Sequence, residues 1–93
     1  MKRVELENGE YYIEEKNHKT YYDFQNRKHR VGGPSFSNSY GGEDWYLHGK
    51  RHRVGGPAAE YESGIKEWWY NGQKIDCKTN EEFLRLIKMK AFL

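Results

Sequence analysis

Sulfur is nearly absent from this chain of 93 residues, which holds one cysteine, Cys77, and two methionines. One cysteine builds no internal disulfide framework, and such usage points to a reducing, cytoplasmic setting. No apolar window approaches the ~20 residues of a membrane-spanning helix, so no membrane contact is expected. The opening residues Met1-Lys-Arg-Val-Glu-Leu-Glu-Asn-Gly9 lack the apolar stretch of a signal peptide. Charge of one sign does not dominate either. A formal net charge of +2 is too small to mark a nucleic-acid binder by itself. Aliphatic side chains are scarce, and with charged residues at 32% the balance approaches that of a disordered chain.

Aromatic residues oppose that conclusion. Three Trp, eight Tyr and four Phe are far more than a disordered polar chain carries. Each buried ring removes roughly 150–250 Å² from water, a gross gain of about 4–6 kcal/mol and an upper bound. A few rings per structural unit therefore suffice for one small domain.

Those rings recur with a period. His29-Arg-Val-Gly-Gly-Pro34 returns unchanged as His52-Arg-Val-Gly-Gly-Pro57, 23 residues later. In that register Tyr22, Trp45 and Trp68 share a slot, followed by Asp23, Tyr46 and Trp69, then by Phe24, Leu47 and Tyr70. Asn26, Gly49 and Gly72 occupy the turn slot, Gly41 matches Gly64, and Asp44 matches Glu67. The third copy runs into Ile75-Asp76-Cys77 and has no Gly-Gly-Pro. Such internal repetition governs the whole reading.

Each copy reads as strand, tight turn, return segment and second turn. Asn8-Gly9, His48-Gly49 and Asn71-Gly72 are hairpin turns that need positive φ, and Gln25-Asn26 fills that place in the first copy. Gly-Gly-Pro then breaks the ladder. After Cys77, Thr79 and Glu82 form a capping box, and Phe83, Leu84, Ile87 and Ala91 recur at helical spacing, with Arg85, Lys88 and Lys90 toward solvent. The fold class is therefore mainly β: a single antiparallel meander of hairpin repeats with one C-terminal amphipathic α-helix that covers the sheet. The expected organisation is one domain, with a leading hairpin over 1–19, three repeats over 20–77 and the helix over 78–93.

Trp45 to Ala58 resembles the MORN repeat, a 23-residue β-hairpin unit. The resemblance is closest to a variant of tailed phages and giant viruses that reads Trp-Tyr-x-Asn-Gly-Lys-x-His-Arg-x-x-Gly-Pro-Ala. It covers residues 20–76. Gly-Gly-Pro replaces the Gly-x-Gly of ordinary MORN units, so lipid binding is not carried over. The resemblance implies a non-catalytic scaffold used for contacts. It suggests a phage-type accessory protein that binds a host protein in the host cytoplasm, diverting host machinery or blocking a defence.

Alternation along the strands places Trp45 and Leu47 on one face and Tyr46 on the other, with Trp68, Tyr70 and Trp69 following suit. Tyr46, Trp69 and Tyr61 are the candidate protein-binding residues, since large surface rings make interface hot spots. The same rings and the sheet edges also suit a homodimer. The register places Asp23 in the outward slot of the first copy, so the aromatic patch belongs to the later copies. A competing reading gives Lys28, Arg30, Arg51 and Arg53 to a phosphate group, nucleic acid or nucleotide, since the basic turns should stack as a ridge along one edge. The plain alternative is solvated hairpin ends. His-Arg-Val-Gly-Gly-Pro itself reads as a phosphate cradle or as a connector, and its loss where the helix begins favours the connector. His18, His29, His48, His52 and Cys77 have no zinc-type spacing, and His48 reads as a turn residue. No nucleophile elbow, phosphate loop or metalloprotease helix is present. Glu60, Glu62 and Glu67 read as solvent-facing strand residues, so no enzyme, no metal and no cofactor are expected.

Overall fold

A computed structural model describes residues 1–89 and gives a thin slab, 42 × 30 × 16 Å. Its strands, in chain order, are β1 (Lys2–Glu5), β2 (Tyr11–Glu14), β3 (His18–Tyr22), β4 (Phe36–Asn38), β5 (Glu43–Asp44), β6 (Tyr46–Leu47), β7 (Lys50–Arg51), β8 (Ala59–Glu60), β9 (Lys66–Tyr70) and β10 (Gln73–Ile75). The helix α1 (Asn80–Met89) follows. Eight strands form one antiparallel sheet in the order β1-β2-β3-β4-β5-β8-β9-β10, and β6 with β7 makes a separate hairpin beside it. The fold is mainly β, an antiparallel meander closed by one C-terminal helix, as the sequence leads one to expect. Ala91 and Lys90, assigned to the helix by its periodicity, lie outside the described residues.

The turns dictate the hairpins. His48 and Gly49 hold φ of 46° and 83°, and Asn71 and Gly72 hold 48° and 81°. Both are two-residue turns of primed type, closed by Leu47↔Lys50 and Tyr70↔Gln73, whose twist matches that of the flanking strands. The first copy differs. Only Asn26 has positive φ there (63°), and Asp23 N–H donates to Arg27 O across a three-residue loop. That loop is one residue longer than the other two.

The longer loop corrects the aromatic register. Tyr22 pairs with Lys28, Tyr46 with Arg51 and Trp69 with Lys74. Tyr22, Tyr46 and Trp69 are therefore equivalent, as are Tyr21, Trp45 and Trp68, and Asp23 stands in the slot of Leu47 and Tyr70. Asp23 is consequently not the outward residue of its copy. It points to the opposite face and is fully buried.

The Gly-Gly-Pro segments join the copies. His48 N–H donates to His29 Nδ1 at 2.9 Å, and Asn71 N–H donates to His52 Nδ1 at 3.0 Å. Each repeated histidine thus accepts from the turn of the following copy. Gly49 and Gly72 donate to Lys28 O and Arg51 O, both at 2.8 Å. Arg30 lies over the Tyr21 ring and Arg53 over Trp45, at 4.1 and 3.7 Å from the centroids. Their Nη1 groups donate to Pro34 O and Pro57 O. A Cβ at Gly33 would stand 2.8 Å from Arg30 Cζ, and one at Gly56 3.0 Å from Arg53 Cζ. The second glycine of each pair makes room for the arginine.

The apolar core sits at one end. Phe83 and Ile87 of α1 pack on Trp68 and Ile75, with Tyr70, Cys77, Leu84 and Leu86 around them. Glu82 N–H donates to Thr79 Oγ1, while the Glu82 carboxylate accepts from Lys78 N–H, a capping box shifted by one residue on its return side. Trp68 Nε1 donates to Asn80 Oδ1 at 3.2 Å and pins the start of the helix to the sheet.

Candidate functional site

The strand alternation splits the slab into a helix face, carrying Tyr21, Trp45 and Trp68, and an open face, carrying Tyr22, Tyr46 and Trp69. On the open face two of the three candidate aromatics, Tyr61 and Trp69, meet at an acid, and Arg51 lies near both Tyr46 and Trp69. Tyr61 Oη and Trp69 Nε1 donate to the same Glu67 Oε1, at 3.0 and 3.1 Å. Lys74 Nζ lies 3.3 Å from Glu67 Oε2. Burial alone would raise the Glu67 pKa, but the bonds from Trp69, Tyr61 and Lys74 outweigh it and lower the value. Glu67 is therefore no solvent-facing residue, since its side chain is only 19% exposed. It fixes two rings at once. Tyr61 is pushed up in pKa, by burial first and then by its bond to Glu67.

Arg51 lies between the second and third copies. Its guanidinium stands 5.2 Å from the Tyr46 centroid and 5.0 Å from that of Trp69. Nη2 reaches Asp44 Oδ1 at 3.0 Å as an ion pair, yet neither that oxygen nor Arg51 Nε has a hydrogen bond of good geometry. Burial raises the Asp44 pKa, against the opposing pull of Arg51. Lys28 Nζ sits 5.3 Å over Tyr46 from the other side. Between the two hairpin tips a shallow cleft of about 440 Å³ is bounded by Tyr46, Lys50, Arg51, Trp69 and Asn71.

The four candidate phosphate residues do not form one ridge. Lys28 and Arg51 belong to the open face, whereas Arg30 and Arg53 lie on the helix face, stacked on rings. Alternate positions of a strand share a face, but strand pairing ends at Lys28 and at Arg51, and past those points Arg30 and Arg53 turn back onto Tyr21 and Trp45.

A second polar cluster joins the first two copies on the helix face. Asp23 accepts from Gln25 N–H and Arg27 N–H on Oδ1, and from Arg27 Nε on Oδ2. His48 Nδ1 lies 2.9 Å from Oδ2. Burial would raise this carboxyl, but the bonds from His48 and from Arg27 and Gln25 hold it well below the usual carboxylate range. His29 is buried, stacks on His48 at 3.9 Å between centroids, and keeps Nε2 3.5 Å from Glu10 Oε2. Asp23, His29 and His48 bring potential metal ligands within 4.8 Å of one another. Their geometry suits a joint rather than a cation. The imidazoles stack face to face, 20° from parallel, His29 Nδ1 is already an acceptor, and Arg27 places a positive charge on the carboxylate. His48 is a turn residue, as its slot implies, and its ring also ties one copy to the next.

Sequence reasoning missed Glu67, Asp44 and Asp23 as organisers. The signal for Glu67 was its position two residues before Trp69, on the same face of one strand. For Asp23 the signal was hidden, because the extra turn residue displaces its slot. Comparisons with family models, with curated proteins and with solved structures give no match to this chain.

Proposed function

We propose that this chain is a non-enzymatic binding module that docks another protein on its open face. The observation that carries the reading is Arg51 set between Tyr46 and Trp69, with Glu67 holding Trp69 and Tyr61 in place. Tyr, Trp and Arg are the residues that dominate protein interfaces. A ring fixed by a hydrogen bond before docking also loses less rotamer freedom on docking.

Charge favours a protein over a polyphosphate. Arg51 is paired with Asp44 and Lys74 with Glu67, so of the cations about the patch only Lys28 and Lys50 have no ion pair among the described residues. Arg30 and Arg53 stand on the far face, each with one Nη1 bonded to Pro34 O or Pro57 O. The resemblance to phage-type repeats makes a host protein in the host cytoplasm the proposed target, and interference with host defence or host machinery the proposed effect.

A pull-down from bacterial lysate, with and without nuclease, tests this. A protein partner should be retained after nuclease treatment and at raised salt. Tyr46→Ala and Trp69→Ala should each weaken capture by roughly 2 kcal/mol, about thirtyfold in Kd, while Arg30→Glu and Arg53→Glu have little effect. Recovery of nucleic acid alone, removed by nuclease and by salt, would sink the reading in favour of phosphate binding.

A further inference from the structure

The helix face holds a groove of about 370 Å³ whose walls include Trp45, Leu47, His52, Arg53, Val54 and Val31. Shifting the first five of these by one period of 23 residues gives Trp68, Tyr70, Ile75, Asp76 and Cys77. Four of those, Trp68, Tyr70, Ile75 and Cys77, surround Phe83 and Ile87 of α1. The groove is thus the counterpart, one copy earlier, of the seat that α1 fills. At the third copy a helix covers the slot. At the second, among the described residues, Val54 is left 45% exposed and Val31 77% exposed.

A second observation points the same way. Trp68 Nε1 donates to Asn80 Oδ1 in the first turn of α1. Its counterpart, Trp45 Nε1, is buried and has no acceptor among the described residues. A buried donor without a partner is costly, and an acceptor that reached it would relieve that cost. Charge adds a third constraint. Where the third copy has Asp76, the second has Arg53, with its guanidinium 3.7 Å from the Trp45 ring centroid. A neutral Asn suffices beside Asp76, whereas an acidic acceptor is the better match beside Arg53.

We propose that this groove seats a helix from another protein: amphipathic, with an aromatic–aliphatic pair four residues apart as in Phe83 and Ile87, and with an acidic residue in its first turn. That residue accepts from Trp45 Nε1 and pairs with Arg53. The site is separate from the open face, so the module has two independent contact surfaces, one on each side of the sheet. A foreign helix is favoured over α1 of a second copy because α1 is already bound at home, through Phe83 with no exposed surface.

The probe is a stapled, fluorescently labelled peptide of the sequence 78–89 carrying Asn80→Asp, titrated by anisotropy into the full chain. Saturable binding is expected, and it should weaken at least tenfold in Val54→Glu, a rim variant whose melting curve establishes that it folds. The advantage of Asn80→Asp over the unaltered peptide should vanish in Trp45→Phe, which lacks the indole N–H. Tyr46→Ala should leave the affinity unchanged, so this test and that of the open face fail independently. The proposal is overturned by any of three results: no saturation, binding that survives Val54→Glu because the peptide exchanges with α1, or sedimentation as a dimer that Val54→Glu dissolves.

Discussion

At the scale of single residues, the largest electrostatic stake is Asp23, a carboxylate with no exposed surface and four donors around it. Removing one partner of a buried charged network leaves the others unsatisfied and typically costs about 3–5 kcal/mol. Asp23→Ala is expected to lose that much in urea denaturation, and a loss under about 1 kcal/mol would show that the network is not needed. The repeated histidines set a pH dependence. Burial lowers the pKa of His29, with the neighbouring His48 adding to the effect, and burial likewise lowers that of His52. The unfolded imidazoles titrate near pH 6.5 and the folded ones below it, so in that window the unfolded chain binds more protons. Stability is therefore full above about pH 6.5 and is lost as pH falls toward the folded values. The melting temperature should drop between pH 7.5 and 5. His29→Asn and His52→Asn keep an acceptor for the following turn and should flatten that slope. An unchanged slope in the double variant would assign the acid sensitivity elsewhere.

At the scale of elements, the helix completes the apolar cluster, with Phe83 and Ile87 packed on Trp68 and Ile75 of the sheet. Phe83 is fully enclosed, and Phe83→Ala should cost about 3–5 kcal/mol. Circular dichroism would show the helical signal melting before the sheet if α1 detaches first, while one shared transition would mark the slab as a single cooperative unit. The elements were legible from sequence wherever turn chemistry was explicit. His48-Gly49 and Asn71-Gly72 announce primed turns, and Thr79 with Glu82 announces the helix start. The first copy was misread by one slot because Asn26 alone has positive φ. A three-residue loop and a two-residue loop look alike when an identical downstream motif fixes the alignment. That one insertion reverses the faces of Tyr21, Tyr22 and Asp23, since strand side chains alternate with a period of two.

At the scale of the molecule, the thickness of 16 Å leaves a thin interior, and each face is a candidate surface. The side taken by Tyr46 and Trp69 was readable from alternation, and Glu67 sets Tyr61 beside Trp69. Their organiser was not readable, because a glutamate beside two rings looks solvated until cross-strand neighbours are known. The same limit applied to the basic turns. Cations recurring in register suggested one ridge, but strand pairing stops at Lys28 and Arg51, and Arg30 and Arg53 fold onto the other face. The joints between copies have a further consequence. Each histidine accepts from the copy that follows it, and nothing in that arrangement counts how many copies there are. The length of the slab is set by the point at which Gly-Gly-Pro gives way to Cys77 and the helix takes the next seat. Gene duplication of a 23-residue segment upstream of Trp68 would lengthen the molecule by one tile, keep its stop intact, and open one more seat for evolution to fill.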